Sequence, residues 1–217
     1  MIQFRKKVCV DPSMEKTKFF KYGKKEADWL KSRDPVLGAA MDRIGKIHRK
    51  VNPDLFTALV NSIVGQQISS KAQATVWARI EEKFKPLTPE TIGSASAEEL
   101  QACGISMRKA HYIKGIAEAV LDGSLDLASL PKLSDEEVCK RLVQIKGIGV
   151  WTAEMLMIFS MQRKDILSWG DFAIQKGLRI LYKRKDISRE LFNKYKQRYS
   201  PYASVASLYL WVISGET

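Results

Sequence analysis

The amino-acid sequence predicts an all-α protein. Apolar residues recur at helical spacing along most of the chain, and residues suited to helix N-caps precede these runs. Alternating apolar and polar runs joined by hairpin turn signals, which are typical of β-strands, are absent. With 217 residues, the chain is long enough to form one domain or two small lobes around a sizeable core.

The first helix starts are marked by proline. Helical signals begin near residues 27–30, and Asp34-Pro35 then combines an N-cap with proline at the first helical position. Asn52-Pro53 repeats this pattern and predicts a second such start. The residues expected to face the core of that next helix are Phe56, Leu59, Val60 and Ile63.

The later helices are predicted from hydroxyl caps and apolar spacing. Ser69 or Ser70 caps a helix whose predicted inner face is Ala72, Val76, Ile80 and Phe84. Further starts are expected at Thr88-Pro89, at the capping box Ser96-x-x-Glu99 and at Ser106. The last three helices are expected over residues 172–182, 188–198 and 202–213.

Two glycines separate the two helical patterns at the centre of the chain. The capping box Ser134-x-x-Glu137 and the following apolar spacing predict a helix over 135–145, which Gly147 ends. A second pattern begins at Trp151, so only a tight turn fits between them. Such a turn exposes N–H groups at a helix start, which suit a phosphate oxygen. An ordinary helix corner explains the two glycines equally well.

The charge of the chain indicates an acidic partner. The formal net charge is +12, and the basic residues concentrate in residues 1–25 and 183–199. Phosphate backbone is the natural target of such stretches, although solvated basic faces are the simpler explanation. The three cysteines, Cys9, Cys103 and Cys139, lie far apart, which argues for reduced thiols and against a disulfide framework or a zinc site. No apolar run approaches transmembrane length.

Four separate segments carry a family resemblance. The hairpin Ile145-Lys146-Gly147-Ile148-Gly149, followed about one helix later by Asp171 in Trp169-Gly170-Asp171, resembles the helix-hairpin-helix DNA glycosylase superfamily. Gly147 to Ala153 matches the G-I-G-x-W-T-A pattern of the 3-methyladenine DNA glycosylase II branch. Asp34 to Gly45 and Phe56 to Ser69 are also similar to that branch, so the likeness covers roughly residues 30 to 182.

The resemblance implies two helical lobes with the helix-hairpin-helix motif at the cleft between them. The central bundle is then expected over residues 52–155, with the motif at 135–160. The second lobe is expected from residues 26–51 together with 156–217, and residues 1–25 form a basic amino-terminal arm.

The resemblance also implies the chemistry. Asp171 corresponds to the essential carboxylate, which stabilises the positive charge that develops on deoxyribose or activates water. Judged locally, Asp171 is also a good N-cap before Phe172, and the two roles are compatible. Trp151 occupies the place where strand-cutting relatives carry a nucleophilic lysine, which implies hydrolysis without lyase activity.

The same resemblance indicates which residues contact the damaged base and the DNA. Trp151 is expected to stack on a positively charged purine, unless it is simple core packing. Met155 fills the next pocket position, where the branch often has an aromatic residue. Gln67 corresponds to the wedge that enters the duplex when the base leaves; alternatively, Gln66 and Gln67 merely close a helix. Trp211 is expected to pack within its lobe, although it could face the cleft.

The hairpin is expected to bind phosphate through Gly147, Ile148 and Gly149. The family implies a sodium or potassium ion on the main-chain carbonyls of Val143, Ile145 and Ile148, and no required cofactor. The four-cysteine iron–sulfur cluster of some relatives is excluded, because the chain has three cysteines.

The resulting hypothesis is a monofunctional DNA glycosylase that flips out and hydrolyses alkylated purines of the 3-methyladenine and 7-methylguanine type, leaving an abasic site in base excision repair. Its partner is double-stranded DNA with a damaged base. We expect a monomer without membrane contact, in a bacterial-type cytoplasm at the nucleoid. The alternatives are a non-catalytic helix-hairpin-helix DNA-binding module and a glycosylase for another damaged base.

Overall fold

The computed structural model describes residues 18–215, so most of the predicted basic arm lies outside the described residues. This part of the chain is helical, with one isolated bridge between Phe19 and Lys50 and no strand, which confirms the all-α prediction. In chain order the helices are α1 (Lys24–Arg33), α2 (Pro35–Ile44), α3 (Leu55–Gly65), α4 (Ser70–Lys83), α5 (Pro89–Ser94), α6 (Ala97–Gln101), α7 (Met107–Leu121), α8 (Asp135–Leu142), α9 (Val150–Phe159), α10 (Phe172–Leu181), α11 (Arg189–Tyr199) and α12 (Ala203–Ser214), with a 3₁₀ turn at Leu130–Lys132.

Most helices begin at the positions that the N-cap signals in the sequence predicted. Asp34 accepts the N–H groups of two residues in the first turn of α2, and Ser69 rather than Ser70 caps α4. The start predicted at Asn52-Pro53 is wrong, because Asp54 is the N-cap of α3 and the Asn52 side chain instead accepts the Asp54 N–H. Ala72 is exposed, against the prediction that it faces the core.

The helix predicted over residues 135–145 ends early. α8 stops at Leu142, and the Ile145 N–H then donates to the Leu142 carbonyl at 3.1 Å. Such bonds to the third residue back tighten the chain into a turn and cannot continue an α-helix. Residues 143–149 therefore form the turn between α8 and α9.

The helices pack in two neighbouring groups around one apolar core. Helices α3 to α9 pack mainly on one another, with α7 contacting α3, α5 and α6. The second group contains α1, α2 and α10 to α12, and its closest pair is α10 with α12. The lobe boundaries at residues 51/52 and 155/156 stay predictions. Between α9 and α10, residues 160–171 cross from the first group to the second and bring Asp171 to α10.

A buried polar cluster ties the second group together. The Asp34 carboxylate, which is 1% exposed, accepts hydrogen bonds from Tyr182 Oη at 2.5 Å and Arg198 Nη1 at 2.8 Å. Tyr182 Oη and Tyr199 Oη lie 2.6 Å apart. Burial raises the pKa of both tyrosines, so their hydroxyls stay protonated and can donate. One carboxylate thereby joins α2, α10 and α11.

Candidate active site

Asp171 is held at the start of α10 by its own backbone. The residue is 6% exposed, and its Oδ1 accepts the Ile174 N–H at 2.9 Å. This is the N-cap contact predicted from the sequence, and it satisfies one of the free amides of the first helical turn.

Two tryptophans donate to the other carboxylate oxygen. Trp151 Nε1 from α9 lies 2.8 Å from Asp171 Oδ2, and Trp211 Nε1 from α12 lies 3.2 Å from the same atom. Trp151 was predicted at this site, whereas Trp211 was expected to pack within its lobe or, alternatively, to face the cleft. Its only sequence signal is the cluster of aromatic residues near the carboxyl end.

The resulting carboxylate is both fixed and well supplied with donors. An ionised carboxylate has about four lone-pair positions, and three N–H groups contact Asp171. These hydrogen bonds fix the position of both carboxylate oxygens. The arrangement can therefore hold a negative charge at one place, which is what stabilisation of a nearby cation requires.

Apolar and aromatic side chains surround this carboxylate. Trp151 is 46% exposed, and Phe172, which follows Asp171 in the chain, is 73% exposed. The Trp211 ring lies 5.4 Å from the ring of Phe159, which in turn lines a recess of about 320 Å³ together with Met155. Trp151 and Trp211 thus each contact Asp171 directly, and Met155 lines the adjoining recess.

The tight turn that the two glycines predict requires a glycine only at Gly147, because Gly149 has φ −94° and no protein atom close to where a Cβ would lie. Gly147 adopts φ +92°, and a Cβ there would lie 2.5 Å from the Tyr112 ring. Gly149 is the N-cap of α9 and carries no side chain to cap the first turn. The first amides of α9 are consequently available to an external acceptor such as a phosphate oxygen.

The turn also suits the expected monovalent cation. The Ile145 carbonyl accepts the Ile148 N–H at 3.0 Å, which uses one of its two lone pairs and leaves the other for an ion. The carbonyls of Val143 and Ile148 belong to the same turn. This ion site stays a prediction.

The loop that carries Gln67 is attached to the hairpin. Gln66 Nε2 donates to the Gly147 carbonyl at 2.8 Å, and Lys109 Nζ donates to the Gln66 carbonyl at 2.6 Å. Burial lowers the pKa of Lys109, and the charge of Arg108 lowers it further. Gln67 itself is exposed with φ +57°, a strained conformation for a residue other than glycine. Gln66 closes α3, as the alternative held, and also joins the wedge loop to the hairpin.

A larger cavity lies outside this site. Its volume is about 1010 Å³, and it is lined by residues of α7, α8 and the turn that follows, including Arg108, Arg141 and Lys146. Asp171, Trp151 and Trp211 are not among its lining residues.

Comparison with known proteins identifies the family of this chain. The model of the HhH-GPD superfamily base excision DNA repair proteins matches residues 60–201. The DNA-3-methyladenine glycosylase 1 of Schizosaccharomyces pombe is 37% identical over 73% of this chain and 72% of its own. A DNA-3-methyladenine glycosidase from Bacillus halodurans superposes with a TM-score of 0.83 at 36% identity, covering 92% of this chain and 93% of its own.

A second solved relative is the 3-methyladenine DNA glycosylase of Schizosaccharomyces pombe in complex with abasic DNA. It is 32% identical and gives a TM-score of 0.74 over 86% of this chain and 95% of its own. The family match covers well over half of the sequence, including the hairpin and Asp171. The chain therefore belongs to the HhH-GPD superfamily of base excision DNA repair proteins.

Proposed function

We propose that this protein is a monofunctional DNA glycosylase that hydrolyses the bond between deoxyribose and alkylated purines of the 3-methyladenine and 7-methylguanine type. The observation that carries the proposal is the buried Asp171 carboxylate, which three N–H groups hold. The names of the relatives from Schizosaccharomyces pombe and Bacillus halodurans support the substrate class.

Asp171 supplies the electrostatic part of the reaction. Departure of the base leaves positive charge on the sugar, and a fixed carboxylate stabilises that charge more effectively than mobile water does. The products are a free base and an abasic site. A water molecule then provides the nucleophile, because the hairpin position that a lysine would need is occupied by Trp151.

Alkylated purines of this type carry positive charge, which aromatic faces attract. The indoles of Trp151 and Trp211 lie beside the carboxylate and provide such faces. We assign Met155 and Phe159 to the adjoining wall of the base pocket.

Double-stranded DNA is the proposed partner, and the complex of the Schizosaccharomyces pombe relative with abasic DNA supports this choice. The hairpin residues Gly147, Ile148 and Gly149 are assigned to a phosphate, which the uncapped first amides of α9 would bind, because the Ile148 N–H already donates to the Ile145 carbonyl. Gln67 is assigned to the space vacated by the flipped base. We propose that the protein acts as a monomer at the nucleoid. No helix within residues 18–215 is long and apolar enough to cross a membrane.

The test is release of free base from methylated duplex DNA, with borohydride trapping in parallel. The proposal expects 3-methyladenine or 7-methylguanine in the supernatant and no covalent protein–DNA adduct. A trapped adduct would replace hydrolysis by a lyase mechanism. Binding of abasic DNA without release of either base would favour a non-catalytic module or a glycosylase for another damaged base.

A further inference from the structure

One face of α9 contacts both ends of the turn that carries Asp171. Trp151 and Glu154 are three residues apart and therefore lie on the same side of the helix. The Trp151 indole donates to Asp171, and Glu154 Oε2 accepts a hydrogen bond from Ser168 Oγ. Ser168 and Asp171 begin and end a four-residue turn, so α9 holds this turn at two points.

The turn is firmly packed between these two contacts. Ser168 is 0% exposed, and its carbonyl accepts the Asp171 N–H at 3.4 Å. The Trp169 carbonyl accepts a hydrogen bond from Gln175 Nε2 at 2.6 Å. The Trp169 ring stands edge-on to the Phe192 ring, with the ring centroids 5.0 Å apart. A shift of Ser168 would therefore be passed to Asp171 through the backbone.

The roles assigned above to the wedge, the hairpin and the Asp171 carboxylate do not involve Glu154. A buried hydroxyl such as that of Ser168 requires a partner, and Glu154 supplies the acceptor. Burial raises the pKa of Glu154, and Asp171 raises it further, whereas the Ser168 hydrogen bond and the charges of Lys196 and Arg189 on α11 act in the opposite direction. The acceptor oxygen is present in both protonation states.

We propose that Glu154 is a positioning residue for Asp171 and acts through the Ser168 hydroxyl. This inference rests on the proposed glycosylase function. It assigns Glu154 to the chemical step and not to DNA binding, because its hydrogen bond fixes the turn that sets the place of the carboxylate.

The test is the single-turnover rate of base release from methylated duplex DNA by Glu154→Gln, Glu154→Ala and Ser168→Ala. Small misplacements of a catalytic group cost up to about 100-fold, so we expect Glu154→Ala and Ser168→Ala to be slower by roughly 10-fold to 100-fold. Glu154→Gln keeps an acceptor oxygen for Ser168 and should remain within about threefold of the wild type. The exposed Glu190 on α11 is the control, and Glu190→Ala should be unchanged.

The dissociation constant for abasic DNA separates positioning from binding and should be the same for all variants. Wild-type rates in Glu154→Ala and Ser168→Ala would overturn the inference, and so would an equal loss in Glu154→Gln and Glu154→Ala. If Glu154→Ala is unfolded by circular dichroism, Ser168→Ala alone decides between these outcomes. A wild-type protein that releases no base would instead contradict the proposed function.

Discussion

At the residue scale, the Asp171 carboxylate combines a structural and a chemical task. Its Oδ1 caps α10, and its Oδ2 receives the two indole N–H groups. The cap helps to fix the side chain, because the helix start supplies both the amide and the favourable dipole. The two indoles then bring aromatic faces to the same place. A single residue thus joins helix formation to the proposed chemistry.

Trp211→Phe tests the contribution of one indole donor. The variant keeps an aromatic ring beside Phe159 but removes the N–H group 3.2 Å from Asp171 Oδ2. Hydrogen bonds to charged groups contribute about 1.5–3 kcal/mol, so the single-turnover rate should fall by roughly 10-fold or more. The control is Trp29→Phe, which removes an N–H bond to the Ser200 carbonyl away from the site. Equal rates for the two variants would contradict the role of Trp211.

The residues of the site differ in how far the sequence reveals them. Asp171 and Trp151 stand in a local motif that spacing and cap chemistry make recognisable. Trp211 is 40 positions from Asp171, and its contact arises only when α12 packs on α10. No local pattern encodes such a contact. The same holds for the bond between Gln66 and Gly147, which spans 81 positions.

At the scale of elements, the two hairpin glycines have different physical reasons. Gly147 has a positive φ and lies against Tyr112, whereas Gly149 has φ −94° and open space where a Cβ would lie. The first glycine is therefore required by the turn itself. The second leaves room for a ligand at the start of α9.

The pair Gly147→Ala and Gly149→Ala tests this division. Gly147→Ala should lower the free energy of unfolding by about 1–3 kcal/mol, because positive φ strains a residue with a Cβ. Gly149→Ala should unfold like the wild type within about 0.5 kcal/mol, since it meets no protein atom, yet bind abasic DNA more weakly. Urea denaturation and fluorescence anisotropy measure the two effects. If Gly147→Ala is as stable as the wild type, or if Gly149→Ala binds abasic DNA as tightly as the wild type, the different roles of the two glycines are contradicted.

The crossing of α10 and α12 depends on one glycine. A Cβ on Gly177 would lie 2.3 Å from the Leu210 carbonyl oxygen, which belongs to the backbone of α12 and cannot rotate away. Gly177→Ala should therefore lower the free energy of unfolding by about 1–3 kcal/mol or more. Gly115→Ala in α7 is the matched control, since open space surrounds that position, and it should stabilise the protein by about 0.5–1 kcal/mol. Thermal unfolding compares them, and an equal effect in both would refute the close crossing.

Helix starts were predicted better than helix ends. The capping boxes at Ser96 and Ser134 formed as expected, because cap and helix are neighbours in sequence. Asn52-Pro53 failed because Asp54 competes for the same role two residues later. The end of α8 at Leu142 was missed because apolar spacing continues to Ile145, although the chain there already turns.

At the scale of the whole molecule, an ion pair connects the first helix to the segment between α9 and α10. Lys164 Nζ lies 2.8 Å from Glu26 Oε1, and the Gly23 N–H donates to Glu26 Oε2 at 2.9 Å. The hydrogen bond from Lys164, and then that from Gly23, lowers the pKa of Glu26 from 4.5 to about 2. Glu26 is 8% exposed, so the carboxylate is well shielded.

This pair predicts a specific loss of stability in acid. Because the folded pKa lies below the unfolded value, the contribution is complete above pH 4.5 and is lost as the pH falls towards 2. Allowing for solvent around the half-exposed Lys164, it amounts to roughly 1–3 kcal/mol. Glu26→Gln should be less stable than the wild type by that amount at pH 7, and the difference should shrink between pH 5 and pH 3. A difference in the free energy of unfolding that is independent of pH would contradict the assignment.

The overall class and family could be predicted from sequence because both depend on local periodicity and on a short motif. The packing of α1 and α2 against α10, α11 and α12 depends on contacts between residues far apart in sequence. One of them is the hydrogen bond between Asp34 and Arg198, which are 164 positions apart. That packing is decided by the fit of the whole core. Residues 1–25 were expected to form a basic arm, and residues 1–17 of that range lie outside the described residues.

The most direct test of the central claim is base release by Asp171→Asn beside the wild type, with abasic-DNA binding measured on both proteins. The asparagine retains an oxygen for the α10 cap but carries no charge, so the fold and the DNA affinity should persist. We expect the wild type to release alkylated purine and the variant to be slower by at least about 100-fold, the usual effect of removing one electrostatic contact from a transition state. Release by Asp171→Asn at the wild-type rate would contradict the catalytic role of the carboxylate.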